Sequence, residues 1–376
     1  MKYYLIAGEA SGDMHAANLI RALKKFDRKA DFRCFGGDLM QEAGATLHIH
    51  YRDMAIMGGI EVLRKYPVIR RNKLLCRQDI LVYNPDVLIL VDYSGFNLPM
   101  ARFASAHNIR TIYYISPKLW AWAKWRVKTI RDHILKMFVI LPFEVDFYST
   151  HHVDAEYYGN PVLDSISTFE NNFTNASSFL SENNLDTRPI IALLAGSRKQ
   201  EIDNLLPEML AVMPYFNDYQ FVVAGAPSIK PEYYRKYLDG TGARIVYNQT
   251  YALLKHSRAA IVTSGTATLE TALLKIPEVV VYKTSPLTFF IGNFFVKIKY
   301  FSLVNLILDK EAVKELLQEN LAEGIRKELE KIVYDQNHRQ EMLDNFDLLR
   351  KKLGNPGVAG RVAERIYRII NTEPTV

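Results

Sequence analysis

The sequence predicts an α/β protein made of two Rossmann-like, doubly wound domains that face a central cleft, followed by a helical C-terminus. Three observations carry this expectation. Short β-rich apolar runs alternate with amphipathic stretches, once through the first half and again after a polar interruption. Val87-Leu88-Ile89-Leu90-Val91 is apolar without a break, as in a strand buried on both faces of a parallel sheet. From Lys310 onward, charges recur at three- and four-residue spacing, which reads as helix to the end.

The elements follow in order. Met-Lys-Tyr-Tyr-Leu-Ile-Ala-Gly lacks the long apolar core and cleavage site of a signal peptide, so it reads as a first buried strand, 3–7. Further strands are expected at 32–35, 87–91, 111–115 and 137–141. Residues 165–188 are polar and asparagine-rich, a linker with a short helix. Strands resume at 190–194, 221–224, 244–247, 260–263 and 279–282. The expected domains are therefore 1–165 and 186–345, with terminal helices over 346–376. Two such halves bind a ligand facing the carboxyl ends of their strands.

Composition narrows the function class. With 49% hydrophobic and 23% charged residues, the chain is neither disordered nor fibrous. A net charge of +6 favours phosphate, nucleic acid or an anionic membrane without choosing among them. Two cysteines, Cys34 and Cys76, are too few for a disulfide framework and suit a reducing cytoplasm. Residues 289–308 have the length of a membrane span but contain Lys297 and Lys299. A lysine at a bilayer centre costs about 2.5–3.5 kcal/mol, which argues against crossing. The segment's aromatic side chains, Phe289, Phe290 and Phe294 among them, suit a surface that lies on a membrane.

Several loops could carry chemistry. Gly8-Glu9-Ala10-Ser11-Gly12-Asp13 follows the first strand and opens a helix. Ser11 or Asp13 can cap that helix, and a helix N-terminus favours anions, although Glu9 and Asp13 would repel a phosphate close by. Asp92 ends the most hydrophobic strand and is placed to act as a base or as a helix cap. Residues 116–131 hold Trp120, Trp122 and Trp125 among five bases, and no acid occurs from Tyr93 through Arg131. That pattern fits base stacking, a membrane-facing rim, or a packed tryptophan cluster beside a solvated basic helix.

In the second half, Gly196-Ser197-Arg198 and Ser264-Gly265-Thr266 each join a strand to a helix. Both resemble phosphate cradles, and Glu270, one turn farther on, could accept from ribose hydroxyls. Simple helix capping describes each loop equally well by itself; two in one half-domain favour the nucleotide. The nine histidines are dispersed, and neither a Gly-x-Ser-x-Gly elbow nor a Walker loop is present. Finally, Ile60, Val62, Leu63, Val68 and Ile69 alternate with arginines and lysines, and no acid lies between Glu61 and Asp79. This stretch fits a helix lying on an anionic bilayer or a core-facing helix with a basic outer side.

Taken in order, these motifs, with Met57-Gly58, Ser116-Pro117, Trp120-Ala121-Trp122, Leu141-Pro142-Phe143-Glu144, Ser302-Leu303-Val304-Asn305-Leu306 and Lys314-Glu315-Leu316-Leu317-Gln318, resemble lipid-A-disaccharide synthases. The resemblance spans residues 3 to about 320. It implies a glycosyltransferase B fold with an acceptor-binding, membrane-facing first domain and a UDP-sugar-binding second domain. The implied reaction is inverting and metal-independent. It joins UDP-2,3-diacylglucosamine to 2,3-diacylglucosamine 1-phosphate, releasing UDP, and needs no cofactor. The implied setting is the cytoplasmic face of the inner membrane, with an anionic membrane surface and a homodimer of exchanged C-terminal segments as partners, and no nucleic acid.

By match to the family's motifs, Asp92 is the base, with Glu9 and Arg198 also catalytic. Ser197, Arg198, Ser264, Gly265, Thr266, Glu270, Asn305 and Gln318 would hold UDP, and Ser11, Gly12 and Asp13 would line the substrate loop. Two departures stand out: Ser94-Gly95 where the family often has Pro-Asp, and Ala195 where proline often precedes the glycine. The first removes a second carboxylate near the base. Another B-fold enzyme on a UDP-sugar, such as an N-acetylglucosaminyl transferase or a 2-epimerase, would share the nucleotide half but lack the two apolar surface segments; a non-catalytic nucleotide- or lipid-binding protein would be expected to lack Asp92 or Arg198, and both are present.

Overall fold

The computed structural model describes residues 1–54, 66–173, 178–283, 299–318 and 320–372. Its residues divide into two units, Met1–Asp164 with Asn355–Val376, and Ser165–Gly354. Each is built on a parallel sheet.

In the first unit seven strands, β1 (Lys2–Ala7), β2 (Asp31–Gly36), β3 (Thr46–His50), β4 (Val87–Val91), β5 (Arg110–Tyr114), β6 (Lys136–Val139) and β7 (Ala155–Tyr157), lie in the order β3-β2-β1-β4-β5-β6-β7. The central pair is in register from Tyr3–Val87 to Ala7–Val91. Strand β4 is buried along its whole length, as its unbroken apolar run requires. Helices cover both faces. One face packs the helix Ala10–Phe26 and the last helix, Val358–Thr372, on Tyr3, Leu5, Ile89 and Val91. The other packs the helices Tyr66–Tyr83 and Ser94–Ala106 on Tyr4, Ile6, Leu88 and Leu90.

The second unit has six strands, β8 (Ile190–Leu194), β9 (Gln220–Gly225), β10 (Arg244–Tyr247), β11 (Ser257–Thr263), β12 (Glu278–Tyr282) and β13 (Lys314–Leu317), in the order β10-β9-β8-β11-β12-β13. Both sheets therefore reverse their winding once. The reversal falls between β1 and β4 in the first and between β8 and β11 in the second. Loops leaving the carboxyl ends of strands at such a reversal diverge to opposite faces and leave room for ligand.

Several elements differ from expectation. Strands β3 and β7 are short edge strands with half-buried side chains, too weakly apolar to stand out in the sequence. Lys314–Leu317, expected to be helical, is strand β13, held by β12 from Val279 to Tyr282. The polar segment contains two helices, Val162–Asn172 and Ser178–Glu182. The helix Gln336–Leu353 runs unbroken through residue 346, so the chain leaves the second unit after Gly354.

Among the described residues no helix is long and apolar enough to cross a membrane. Half of the 289–308 stretch, 289–298, lies outside the described residues, and its end, Leu303–Leu308, is a six-residue helix.

Candidate active site

At the reversal of the first sheet, Glu9 follows β1 and Asp92 follows β4 directly. The two loops come close because Gly8 has no side chain: a Cβ there would lie 2.2 Å from the Tyr93 ring. Tyr93 is fixed in turn, stacked on Phe96 and donating its hydroxyl to the Met54 carbonyl at 3.2 Å. Asp92 and Tyr93 both have φ of 44°, in the left-handed region that non-glycine residues rarely adopt. The strain is held by neighbours. The Asp92 carbonyl accepts from Asn97 Nδ2 at 2.8 Å and from the Tyr113 hydroxyl, and its N–H donates to the Ile115 carbonyl at 3.2 Å.

Half-buried Asp92 thus sits at the carboxyl end of the central strand β4. Burial pushes its pKa up to about 6, the Glu9 carboxylate adds to the rise, and Lys118 opposes it. A carboxylate in that range still ionises at neutral pH and takes a proton more readily than an ordinary aspartate.

The Lys118 loop is secured by a residue that the sequence reading quoted but gave no role. Glu144 is fully buried. Its Oε1 accepts from Ser116 Oγ at 2.6 Å and Trp120 Nε1 at 3.0 Å, and its Oε2 accepts from the N–H groups of Ile140 and Leu141 at 3.2 and 3.0 Å. One carboxylate thus ties the loop after β5 to the loop after β6. A glutamate three residues beyond Leu141, after a strand and Pro142, was the visible signal.

Two expected substrate residues have other work. Asp13 is buried, and its carboxylate accepts from the N–H groups of Gly37, Leu39 and Met40 at 2.8, 3.1 and 3.1 Å. It caps the short helix Asp38–Glu42, not its own helix, and three of its acceptor sites are taken there. Gly12 is buried beside Ala7 and Val91 at the start of the first helix. Ser11 is exposed and donates to Glu9 Oε1 at 2.7 Å, orienting that acid.

In the second unit, the loops after β8 and β11 leave adjacent strands. Gly196 has φ of 105°, and a Cβ there would lie 2.4 Å from the Glu201 carboxylate. Glu201 Oε2 accepts from the N–H groups of Ser197 and Arg198 at 2.9 and 3.2 Å, and Oε1 pairs with Arg198 Nη1 at 3.2 Å. The anion position expected at this helix N-terminus is therefore filled by a carboxylate of the chain itself. Arg198 is otherwise exposed and can exchange that partner for another anion.

The β11 loop departs from expectation in part. Ser264 donates its N–H to the Val281 carbonyl at 3.0 Å and its hydroxyl to the Phe301 carbonyl at 2.9 Å, so neither donor is left for phosphate. Gly265 and exposed Thr266 open the helix Thr266–Leu273 and carry the remaining donors. Glu270, on that helix, accepts from the Tyr251 hydroxyl at 2.7 Å, and burial raises its pKa while Tyr251 lowers it. Tyr251 escaped the sequence reading because nothing in its surroundings marks it.

Asn305 is engaged within the chain itself. It is fully buried, with Nδ2 donating to the Val313 carbonyl and Glu315 Oε1 and Oδ1 accepting from Ala312 and Val313 N–H. All its hydrogen-bonding capacity is used within the chain. Glu315 also accepts from the N–H groups of Phe301 and Ser302, so the two sequence motifs form one lock that seats the carbonyl bound by Ser264. Gln318 follows β13 with φ of 66° and donates its N–H to the Tyr282 carbonyl.

Of the membrane-facing set, Val68 is exposed and Ile69 half-buried on the helix Tyr66–Tyr83, which also exposes Leu74, Leu81 and Val82. Ile60, Val62, Leu63, Phe289, Phe290 and Phe294 lie outside the described residues. Among the described residues no group of acids, histidines and cysteines is arranged to hold a metal ion.

Solved structures show the same architecture. A UDP-GlcNAc 2-epimerase from Neisseria meningitidis superposes with a TM-score of 0.69 at 13% identity, covering 98% of this chain and 100% of the other. The calicheamicin glycosyltransferase CalG4 gives 0.60 at 12% identity, with 99% of each chain covered. The fold is that of the glycosyltransferase B class, two parallel α/β units with their polar loops at the winding reversals. Sequence comparison is more specific. The family model "Lipid-A-disaccharide synthetase" matches residues 3–356. The lipid-A-disaccharide synthase of Syntrophus aciditrophicus is 36% identical over 374 residues, covering 97% of each chain. That of Geobacter sulfurreducens is 34% identical over 377 residues, covering 98% of this chain and 97% of the relative. The chain belongs to the lipid-A-disaccharide synthetase family.

Proposed function

We propose that this member of the family condenses UDP-2,3-diacylglucosamine with 2,3-diacylglucosamine 1-phosphate, giving the β-1,6-linked disaccharide 1-phosphate and UDP. The acceptor's 6-hydroxyl oxygen attacks C1 of the donor sugar. The bond from C1 to the diphosphate oxygen breaks, its electron pair leaves with UDP, and the hydroxyl proton passes to Asp92. The observation that carries the reading is the desolvated Asp92 carboxylate beside Glu9 at the reversal of the first sheet.

Departure of UDP is stabilised by fixed positive charge, here Arg198 and the amide groups of Gly265 and Thr266. Arg198 reaches the diphosphate by releasing Glu201. Glu270, oriented by Tyr251, accepts from the ribose. The cation and the helix N-terminus take the part a divalent metal plays elsewhere, so the reaction runs without one. The exposed apolar side chains of helix 66–83, set among arginines and lysines, rest on an anionic membrane at the cytoplasmic face, where both lipid substrates reside. A homodimer is part of the same reading.

The test is a product assay with both diacylglucosamine substrates in mixed micelles, with chelator present. A disaccharide phosphate and UDP support the reading. No product, with tight UDP binding by calorimetry, would retain the nucleotide half and overturn the acceptor.

A further inference from the structure

Asp92 and Tyr93 are two consecutive left-handed residues, each with φ of 44°. Such a backbone costs energy in residues that carry a side chain, and it persists only where neighbours over-determine it. The peptide between them is the point of control. Its carbonyl direction is set by Asp92 ψ and Tyr93 φ, and the strain at Tyr93 cannot relax unless this group turns.

That carbonyl receives two donors from two different elements. Asn97, on the helix Ser94–Ala106, donates Nδ2 to it at 2.8 Å and to the Val91 carbonyl at 3.1 Å. The Tyr113 hydroxyl is the other donor, reaching across from β5, which pairs with β4 from Val87–Arg110 to Val91–Tyr114. Asn97 and Tyr113 are both fully buried, so they act on the site through the backbone they hold. Asn97 Oδ1, moreover, is buried with no hydrogen-bond partner. An unpaired buried acceptor lowers stability, which makes this amide a poor choice for packing alone. What it supplies is a donor to the strained turn.

We propose that Asn97 and Tyr113 are positioning residues for the base: together they clamp the 92–93 peptide and keep Asp92 in the backbone conformation in which its carboxylate takes the proton. The role of Asp92 rests on the function proposed above; the clamp itself does not. With one donor gone, the peptide is free to turn and carries the carboxylate with it. A displacement of about 1 Å at a reacting group can cost on the order of a hundredfold in rate.

Tyr113→Phe, which removes a single oxygen, and Asn97→Leu test this. Tyr4→Phe is the control, since it removes another buried hydroxyl of the same sheet, one that donates to Asp79 at 2.7 Å. In mixed micelles each test variant is expected to lower kcat about tenfold, with both KM values little changed and the control at the wild-type rate. The deciding measurement repeats both substitutions in an Asp92→Asn background. There neither is expected to lower turnover further, because both act through the carboxylate already removed. A further tenfold loss in that background, or an unchanged kcat in the wild-type background, overturns the proposal. If Asn97→Leu fails to fold, Tyr113→Phe decides alone. If Asp92→Asn turns over as fast as the wild type, the base assignment fails, and a crystal structure of Tyr113→Phe decides the clamp. A rotated 92–93 peptide supports it, and an unmoved one overturns it.

Discussion

The Ser116 hydroxyl donates to Glu144 Oε1 over 2.6 Å, and through this contact the loop carrying Lys118 is bound to the end of β6. Glutamine at 144 turns one acceptor oxygen into a donor facing donors. Glu144→Gln is expected to lower stability by about 1–3 kcal/mol, the cost of unmatched buried polar groups, and to reduce kcat through the loosened loop. Thermal unfolding and steady-state kinetics check this; an unchanged melting temperature would show that the four hydrogen bonds do not lock the loop.

Asp92 sets the acid side of the rate profile. Its pKa is raised to about 6, first by burial and then by Glu9, so the base is lost as pH falls through 6 and not near 4. The acid limb of kcat/KM is expected there. Removing the neighbouring charge in Glu9→Gln shifts that limb to lower pH. Asp92→Asn is expected to lower turnover by about 10²–10⁴-fold while UDP still binds. A wild-type limb near pH 4 would remove Asp92 as the base.

Glu201 and a diphosphate compete for the same donors. Glu201→Gln is expected to tighten UDP binding severalfold at low salt, because the rival charge is gone, with a smaller gain at high salt. Arg198→Ala is expected to weaken UDP binding by about tenfold or more. Calorimetry at two ionic strengths decides both, and weaker binding by Glu201→Gln would mean that its carboxylate shapes the loop more than it blocks it.

Tyr251 reports on the ribose. Tyr251→Phe removes the hydroxyl that holds Glu270 and lets its pKa rise further. The UDP dissociation constant is expected to rise about five- to tenfold, with little change for 2′,3′-dideoxy-UDP. Equal losses for both ligands would place Glu270 away from the sugar hydroxyls.

Glu278, at the start of β12, is fully buried, and neither carboxylate oxygen has a hydrogen-bond partner among the described residues. Burial raises its pKa well above the ordinary value, so the folded chain retains a proton there that the unfolded chain releases. Its contribution is greatest below the unfolded pKa of about 4.3 and declines as pH rises toward the folded value. Glu278→Met is expected to gain about 1–3 kcal/mol at pH 8 and to flatten stability between pH 5 and 8. Denaturant unfolding at several pH values measures it; a loss of stability in Glu278→Met would reveal an unrecognised partner.

The central strands were legible because buried parallel strands write continuous apolar runs such as 87–91 and 190–194. Three of the four edge strands were not, since β3, β7 and β13 are half-exposed and their pairing comes from a neighbour, whereas the edge strand β10 was expected at 244–247. At the site, the strand-to-helix loops were found from glycines and hydroxyls, yet spacing could not say which donors would already be taken. Asp13, Ser264 and Asn305 each look like ligand-binding residues along the chain, and each is consumed by backbone brought from elsewhere. Conversely, Glu144 and Tyr251 act through contacts 28 and 19 residues away in sequence, which no local pattern encodes.

The closing helix has a consequence for biogenesis. Asp164 accepts from the N–H groups of Gly357, Val358 and Ala359, and Arg361 donates to the Tyr158 carbonyl. The first unit thus draws Val362, Ala363, Ile366 and Ile369 into its core from the far end of the polypeptide. On the ribosome, residues 165–354 emerge as one uninterrupted piece before that helix appears. At about 5–20 residues per second, the earlier-made unit waits some 10–40 seconds for its last layer. The later-made unit can finish first, and during that interval a nascent, half-covered sheet is the species that needs a chaperone.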